Sequence, residues 1–146
     1  MNYPQLLILN SEDDYYNYFK ENYCRKCIYT FDNIRVFFPE HSFWHAFYVS
    51  GSRRRKDKSI FSKKRAERMP WIKTVLMDNS AELYVGWNNK KKCRDFNRRV
   101  AVVRENYVVI IQLKNEKNAI FITAFVGDQQ TIDKIRSGPE WEIKSR

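Results

Sequence analysis

The period of the apolar residues changes once along this 146-residue chain, and that change most limits what it can fold into. Up to Leu76 apolar side chains recur at three- and four-residue intervals. Tyr15, Tyr18 and Phe19 form one such stripe; Phe61, Ala66, Met69, Ile72, Val75 and Leu76 form another. These predict helices over residues 12–22 and 62–77. From Glu82 onward the period is two, and strands are expected at 82–87, 99–104, 107–113 and 119–126. Asn106 and a turn over 115–118 separate the later strands, as a meander requires. Helices followed by an antiparallel run define an α+β class. The expected architecture is N-terminal helices packed on a roughly four-stranded antiparallel sheet, in a single domain.

Local signals sharpen the boundaries. Ser11 with Asp14 three positions on is a helix start. Residues 34–38 read as a strand that Pro39 stops. Glu40 to Tyr48 reads as a short helix with Pro39 at its first turn, and Ser50-Gly51-Ser52 ends it. Pro70 predicts a kink or break within 62–77. Residues 131–136 read as a last short helix, ended by Gly138-Pro139.

Charge narrows the partners. The chain carries a formal net charge of +10, a field that draws polyanions. It is unevenly spread. Residues 53–68 hold nine Lys or Arg against two acids, and residues 90–99 hold six against one. Two such runs on a small domain can share a face and form a trough for a nucleic-acid backbone. Arg53, Arg54, Arg55, Lys56, Lys63, Lys64, Lys91, Lys92 and Arg98 are the candidate phosphate contacts. No apolar run approaches the ~20 residues of a spanning helix, so no membrane partner is expected. The start of the chain lacks a basic stretch before an apolar core, and three cysteines suit a reducing compartment, so a cytoplasmic location is expected.

The only two histidines, His41 and His45, lie four apart beside the first basic run. One reading is a zinc site. Cys24 and Cys27 are separated by two residues, thirteen lie between Cys27 and His41, and three between the histidines, which fits Cys2His2 spacing. The other reading is RNA cleavage without a metal. Attack of a 2′-hydroxyl on the adjacent phosphorus needs a base and an acid, and imidazole suits both. The charge on the phosphoryl oxygens calls for guanidinium groups, which Arg65 and Arg68 supply. The readings compete, because a zinc-bound imidazole has lost the lone pair a base would use. A histidine in this position can also simply cap a helix.

The order of motifs also carries a resemblance. A strand ends Phe37-Phe38-Pro39, and His41-Ser42-Phe43-Trp44-His45 follows. Next come Phe61-Ser62-Lys63-Lys64-Arg65-Ala66-Glu67-Arg68-Met69-Pro70-Trp71-Ile72, a Tyr-Val-Val-Ile-Ile strand from Tyr107, and Phe121-Ile122-Thr123-Ala124-Phe125. This resembles the phage-associated nucleases of the barnase–EndoU–colicin–RelE superfamily, over most of the chain from residue 34 to 141. Residues 1–33 would then be a helical extension on a nuclease core. The resemblance implies helices on one side of a four-stranded antiparallel sheet with RNA on the open face. It implies metal-independent cleavage, often of tRNA, a phage or mobile-element setting, a toxin-like role and, in some members, a neutralising protein partner. It carries His45, His41, Arg65, Arg68 and Thr123 over as catalytic residues. Ala46-Phe47 and the Cys24/Cys27 pair depart from the family's pattern.

Trp71, Trp87, Tyr48 and Tyr84 are candidate base-stacking residues, whereas Trp44 and Phe47 are expected in the core. Asp57, Glu67 and Asp95 read as charge partners of the surrounding cations. Cys93, between Lys92 and Arg94, is the one thiol whose neighbours would lower its pKa. No paired carboxylates at magnesium-binding spacing, glycine-rich phosphate loop or activated Ser or Cys constellation is evident. The leading expectation is a metal-independent ribonuclease without a cofactor. The rivals are a non-catalytic nucleic-acid-binding or inhibitor module with a Cys24/Cys27/His41/His45 zinc site, and a protein whose basic face binds an acidic partner.

Overall fold

The structure, a computed structural model, describes residues 3–50, 60–88, 93–94 and 99–141. In chain order its first half holds α1 (Glu12–Phe19), a π-helical turn (Lys20–Cys24), β1 (Ile28–Tyr29) and β2 (Arg35–Phe37). A 3-10 turn (Glu40–Ser42), α2 (Phe43–Ala46), β3 (Tyr48–Val49), β4 (Ile60–Phe61), α3 (Lys63–Glu67) and α4 (Met69–Leu76) follow. The second half holds β5 (Glu82–Val85), β6 (Trp87–Asn88), β7 (Cys93–Arg94), β8 (Arg99–Arg104), β9 (Tyr107–Leu113), β10 (Asn118–Val126) and α5 (Gln129–Arg136).

The α+β class stands, but the sheet differs from the one expected. It has six strands in the order β1-β2-β10-β9-β8-β5, and it is mixed. The antiparallel meander is there as β10-β9-β8-β5. β2 then joins the outer edge of β10 in parallel, with Val36 opposite Ala119, and β1 pairs with β2. The local pattern at 34–38 announces a strand without naming its neighbour. That neighbour lies some eighty residues on, and only burial of Val36 and Ile28 against the common core selects it.

Alternation along the strands divides the sheet into two faces. Val36, Val100, Val102, Tyr107, Val109, Ile111, Ala119, Phe121 and Ala124 face the main core. From the helical side come Phe19, Tyr23, Phe43, Phe47, Met69, Ile72, Val75 and Leu76, all but wholly buried. Burying each of the larger of these contributes about 1.5–3 kcal/mol. Residues 3–33 belong to this same core, through Tyr15, Phe19, Tyr23 and Ile28. The helices are not confined to one side, however. Ile132 of α5 packs on the opposite face against Tyr84, Ala101, Val103 and Val108. The face expected to be open is therefore half covered, and the part near β1 and β2 remains exposed.

Capping explains the helix boundaries. The Ser11 hydroxyl accepts from the Asp14 amide, Ser62 from that of Arg65, and Asp128 from that of Thr131. Residues 62–77 form two helices rather than one kinked helix, because Pro70 falls in the first turn of α4, where its missing N–H costs nothing. Gly86 is required by packing: a Cβ there would lie 2.5 Å from Cγ of Arg99, whose stem crosses it. Residues 3–9 have no regular structure and lie along α3 and α4. The Leu7 amide donates to the Glu67 carbonyl at 2.7 Å, and the Trp71 indole N–H to the Pro4 carbonyl at 2.8 Å.

Candidate nucleic-acid interface

β2 ends at Phe37, opposite Ile120, so among the described residues β10 has no strand beside it from Thr123 onward on that side. α2 and α3 pack against β10 instead. α2 is short but firmly seated, with Phe43, Ala46 and Phe47 buried. That leaves His41, Trp44 and His45 facing solvent. Trp44, expected in the core, is 48% exposed, because four residues of α2 can send only one side inward. Its ring rests on Tyr16 at 4.8 Å.

Arg65 connects this surface to the sheet. Its Nη1 donates to the Ala46 carbonyl at 3.3 Å, one residue after His45. Its guanidinium carbon lies 5.6 Å from the centre of the Phe125 ring. Burial lowers the pKa of this guanidinium. Thr123 stands opposite Ile110, on the face that also carries Phe125, and a bulge between Phe121 and Thr123 sets that orientation. The Thr123 hydroxyl oxygen is buried and has no hydrogen-bond partner among the described residues. Arg65 thus contacts the backbone carbonyl next to His45 and the ring of Phe125, two residues after Thr123.

Arg68 caps the C-terminal end of α3, three residues after Arg65. Its Nη1 donates to the Lys64 carbonyl at 2.8 Å, and its guanidinium carbon sits 5.1 Å from the Trp71 ring centre. Trp71, a candidate base-stacking residue, is itself stacked on Tyr3 with ring centres 4.1 Å apart. Tyr84 is buried and its hydroxyl donates to Glu82 at 2.6 Å, and the Tyr48 hydroxyl donates to Glu12 at 2.9 Å. Lys63 and Lys64 are exposed on α3, and Glu67 is half-buried there. Arg53, Arg54, Arg55, Lys56, Asp57, Lys91, Lys92, Asp95 and Arg98 lie outside the described residues, as do the side chains of Trp87 and Cys93.

An unforeseen cluster lies on the exposed part of the second sheet face. Phe37 is 42% exposed and Tyr29 45%. The Arg35 guanidinium carbon stands 4.4 Å from the Phe37 ring centre. Phe37, Ile120, Gln112 and Arg99 are successive partners across four strands, so they form a lateral row on this face. The alternation in Ile34-Arg35-Val36-Phe37 was the available signal: with Val36 inward, Arg35 and Phe37 must face outward.

For the zinc reading, Cys24 is half-buried and Cys27 exposed, both as free thiols. Burial, with the Glu40 carboxylate as a second cause, pushes the Cys24 thiol up to about 11. Among the described residues no three His, Cys, Asp or Glu side chains come together as a metal-binding group. Among the described residues, too, no helix is long and apolar enough to cross a membrane.

No known protein family, characterised protein or solved structure matches this chain.

Proposed function

We propose that this protein binds single-stranded RNA and cleaves it without a metal. The observation that carries the reading is Arg65, whose guanidinium bonds the carbonyl next to His45 and reaches the Phe125 ring on the Thr123 face. In the proposed reaction His45 acts as base or acid on the 2′-hydroxyl or the leaving oxygen, and His41 is the complementary group. Arg65 stabilises the charge that develops on the phosphoryl oxygens, an effect strengthened by partial burial. Arg68, whose Nη1 donates to the Lys64 carbonyl and whose guanidinium lies beside Trp71, is the second candidate for this role. The resemblance to the barnase–EndoU–colicin–RelE nucleases and the net charge of +10 support the same reading. tRNA or another translation-linked RNA is the proposed substrate class, in a phage or mobile-element setting.

The test is incubation of purified protein with total RNA in the presence of a chelator. Cleavage by the wild type, reduced about 10²–10⁴-fold in His45→Ala, is the expected result. Equal cleavage by that variant rejects the assignment.

A second reading is binding without cleavage, favoured by Arg35 and Phe37 on the exposed sheet face. A base stacked on Phe37 would gain ~1–3 kcal/mol. RNA binding that weakens in Phe37→Ala, with no cleavage under any condition, would favour it. Retention of one equivalent of zinc, lost on chelation with unfolding, would favour the Cys24/Cys27/His41/His45 alternative.

A further inference from the structure

The segment 3–9 ends in an unusual stack. The Tyr3 ring lies 4.1 Å from that of Trp71, with 19° between the planes. The guanidinium carbon of Arg104 lies 4.3 Å from the centre of the same Tyr3 ring. Two groups this close to one ring cannot occupy the same side of it, so Tyr3 is sandwiched between an indole and a guanidinium. Arg68 stands over Trp71 at 5.1 Å and extends the stack.

Arg104 is only 5% exposed, and its Nε lies 3.0 Å from Oδ2 of Asp78. Its Nη1 and Nη2 are buried and find no hydrogen-bond partner among the described residues. A buried guanidinium with unmet donors is costly, and an oxygen-bearing ligand would remove that cost. The Tyr3 hydroxyl donates to the Arg104 carbonyl at 2.7 Å, a bond that an N–H on the edge of a base can equally make.

We propose that Tyr3 stands in for a nucleobase, and that the slot between Trp71 and Arg104 is a nucleotide subsite which residues 3–4 close. The base would lie between the indole and the guanidinium, with an edge N–H on the Arg104 carbonyl and ligand oxygens meeting Nη1 and Nη2. Opening breaks few bonds. The Tyr3 hydroxyl and the Trp71-to-Pro4 bond hold the tip. The stretch beyond it stays anchored through Leu7 to Glu67 and through Leu7 and Leu9 to the Tyr15 hydroxyl. Gln5 and Leu6 between these anchors are exposed. This inference rests on the reading that the protein binds RNA and adds a base subsite and a built-in competitor.

The test is equilibrium binding of AMP, and of short purine-rich and pyrimidine-rich RNA, to the full chain. Tyr3→Ala should raise affinity for AMP and for both RNAs about tenfold, the scale of one base–aromatic stack. Tyr3→Phe, which loses only the hydroxyl bond, should give a smaller gain. Adding Trp71→Leu to Tyr3→Ala should abolish the gain. Melting curves establish which variants fold, and if Tyr3→Ala does not, Tyr3→Phe alone decides. No gain in the folded variants overturns the subsite, even if the wild type binds RNA. A gain for AMP with no RNA binding by the wild type at low salt keeps the subsite and rejects the RNA reading.

Discussion

Arg104 and Asp78 form an ion pair almost out of reach of water, with Nε 3.0 Å from Oδ2 and side chains 5% and 6% exposed. It joins the end of β8 to the turn after α4, where the meander begins. The two groups are close without the alignment of a hydrogen bond, and Ser80 bonds the other carboxylate oxygen through both its amide and its hydroxyl. Those Ser80 bonds are the largest cause holding the Asp78 carboxyl below the usual carboxylate range, with Arg104 adding to them. Removing the carboxylate leaves a buried cation uncompensated, so Asp78→Ala should cost about 3–5 kcal/mol, read by denaturant unfolding.

The same group sets a pH dependence. A carboxyl whose pKa is depressed on folding stabilises the fold fully above its unfolded value, about 4. That contribution is lost as pH falls through the lower folded value. The wild-type melting temperature should therefore drop below about pH 4 more steeply than that of Asp78→Asn, which has no such proton to bind. Parallel curves for the two proteins would remove Asp78 as a source of acid sensitivity.

Phe38 and Phe121 stack with ring centres 4.8 Å apart, and Phe121 also meets Phe19. Phe121 is thus the residue on which β10, the chain after β2 and α1 converge. Phe121→Ala should destabilise the protein by about 3–5 kcal/mol. Phe37→Ala, on the exposed face, should fall within about 0.5 kcal/mol of wild type. Thermal or urea melts of the two variants compare them directly.

Gly86 is sterically committed, since its missing Cβ makes room for the Arg99 stem. Gly86→Ala should cost about 1–3 kcal/mol through overpacking. Relief of that cost in the double variant with Arg99→Ala, measured as a double-mutant cycle, would show that the stem is the obstacle.

The two described thiols should differ in reactivity. Cys27 is exposed, whereas Cys24 is half-buried with its thiol pushed up to about 11. Alkylation at neutral pH followed by mass mapping should label Cys27 well before Cys24. Equal rates would mean that the surroundings of Cys24 do not protect it.

The fold was legible wherever a local cause sufficed. Ser11 caps the helix that follows it, and the strands at 99–104 and 107–113 fall where period-two alternation places them. The parallel pairing of β2 was not legible, because nothing within residues 34–38 encodes a partner at 118–120. Trp44 reads as core from its type, yet the shortness of α2 turns it outward. In the candidate site, the closeness of Arg65 to the residue after His45 follows from packing between α2 and α3, whereas the sequence offers only a separation of nineteen positions.

Composition, spacing and period by themselves determined that this is a basic α+β chain with helices ahead of a meander, and singled out His41, His45, Arg65 and Arg68. Tertiary structure alone decided that Arg68 turns to Trp71, that α5 covers half of the second face, and that Tyr3 lies between Trp71 and Arg104. The physical reason is range. Capping and alternation act over a few residues and leave their mark in order, whereas stacking and burial act between groups as far apart as Tyr3 and Arg104, which only the folded core brings together.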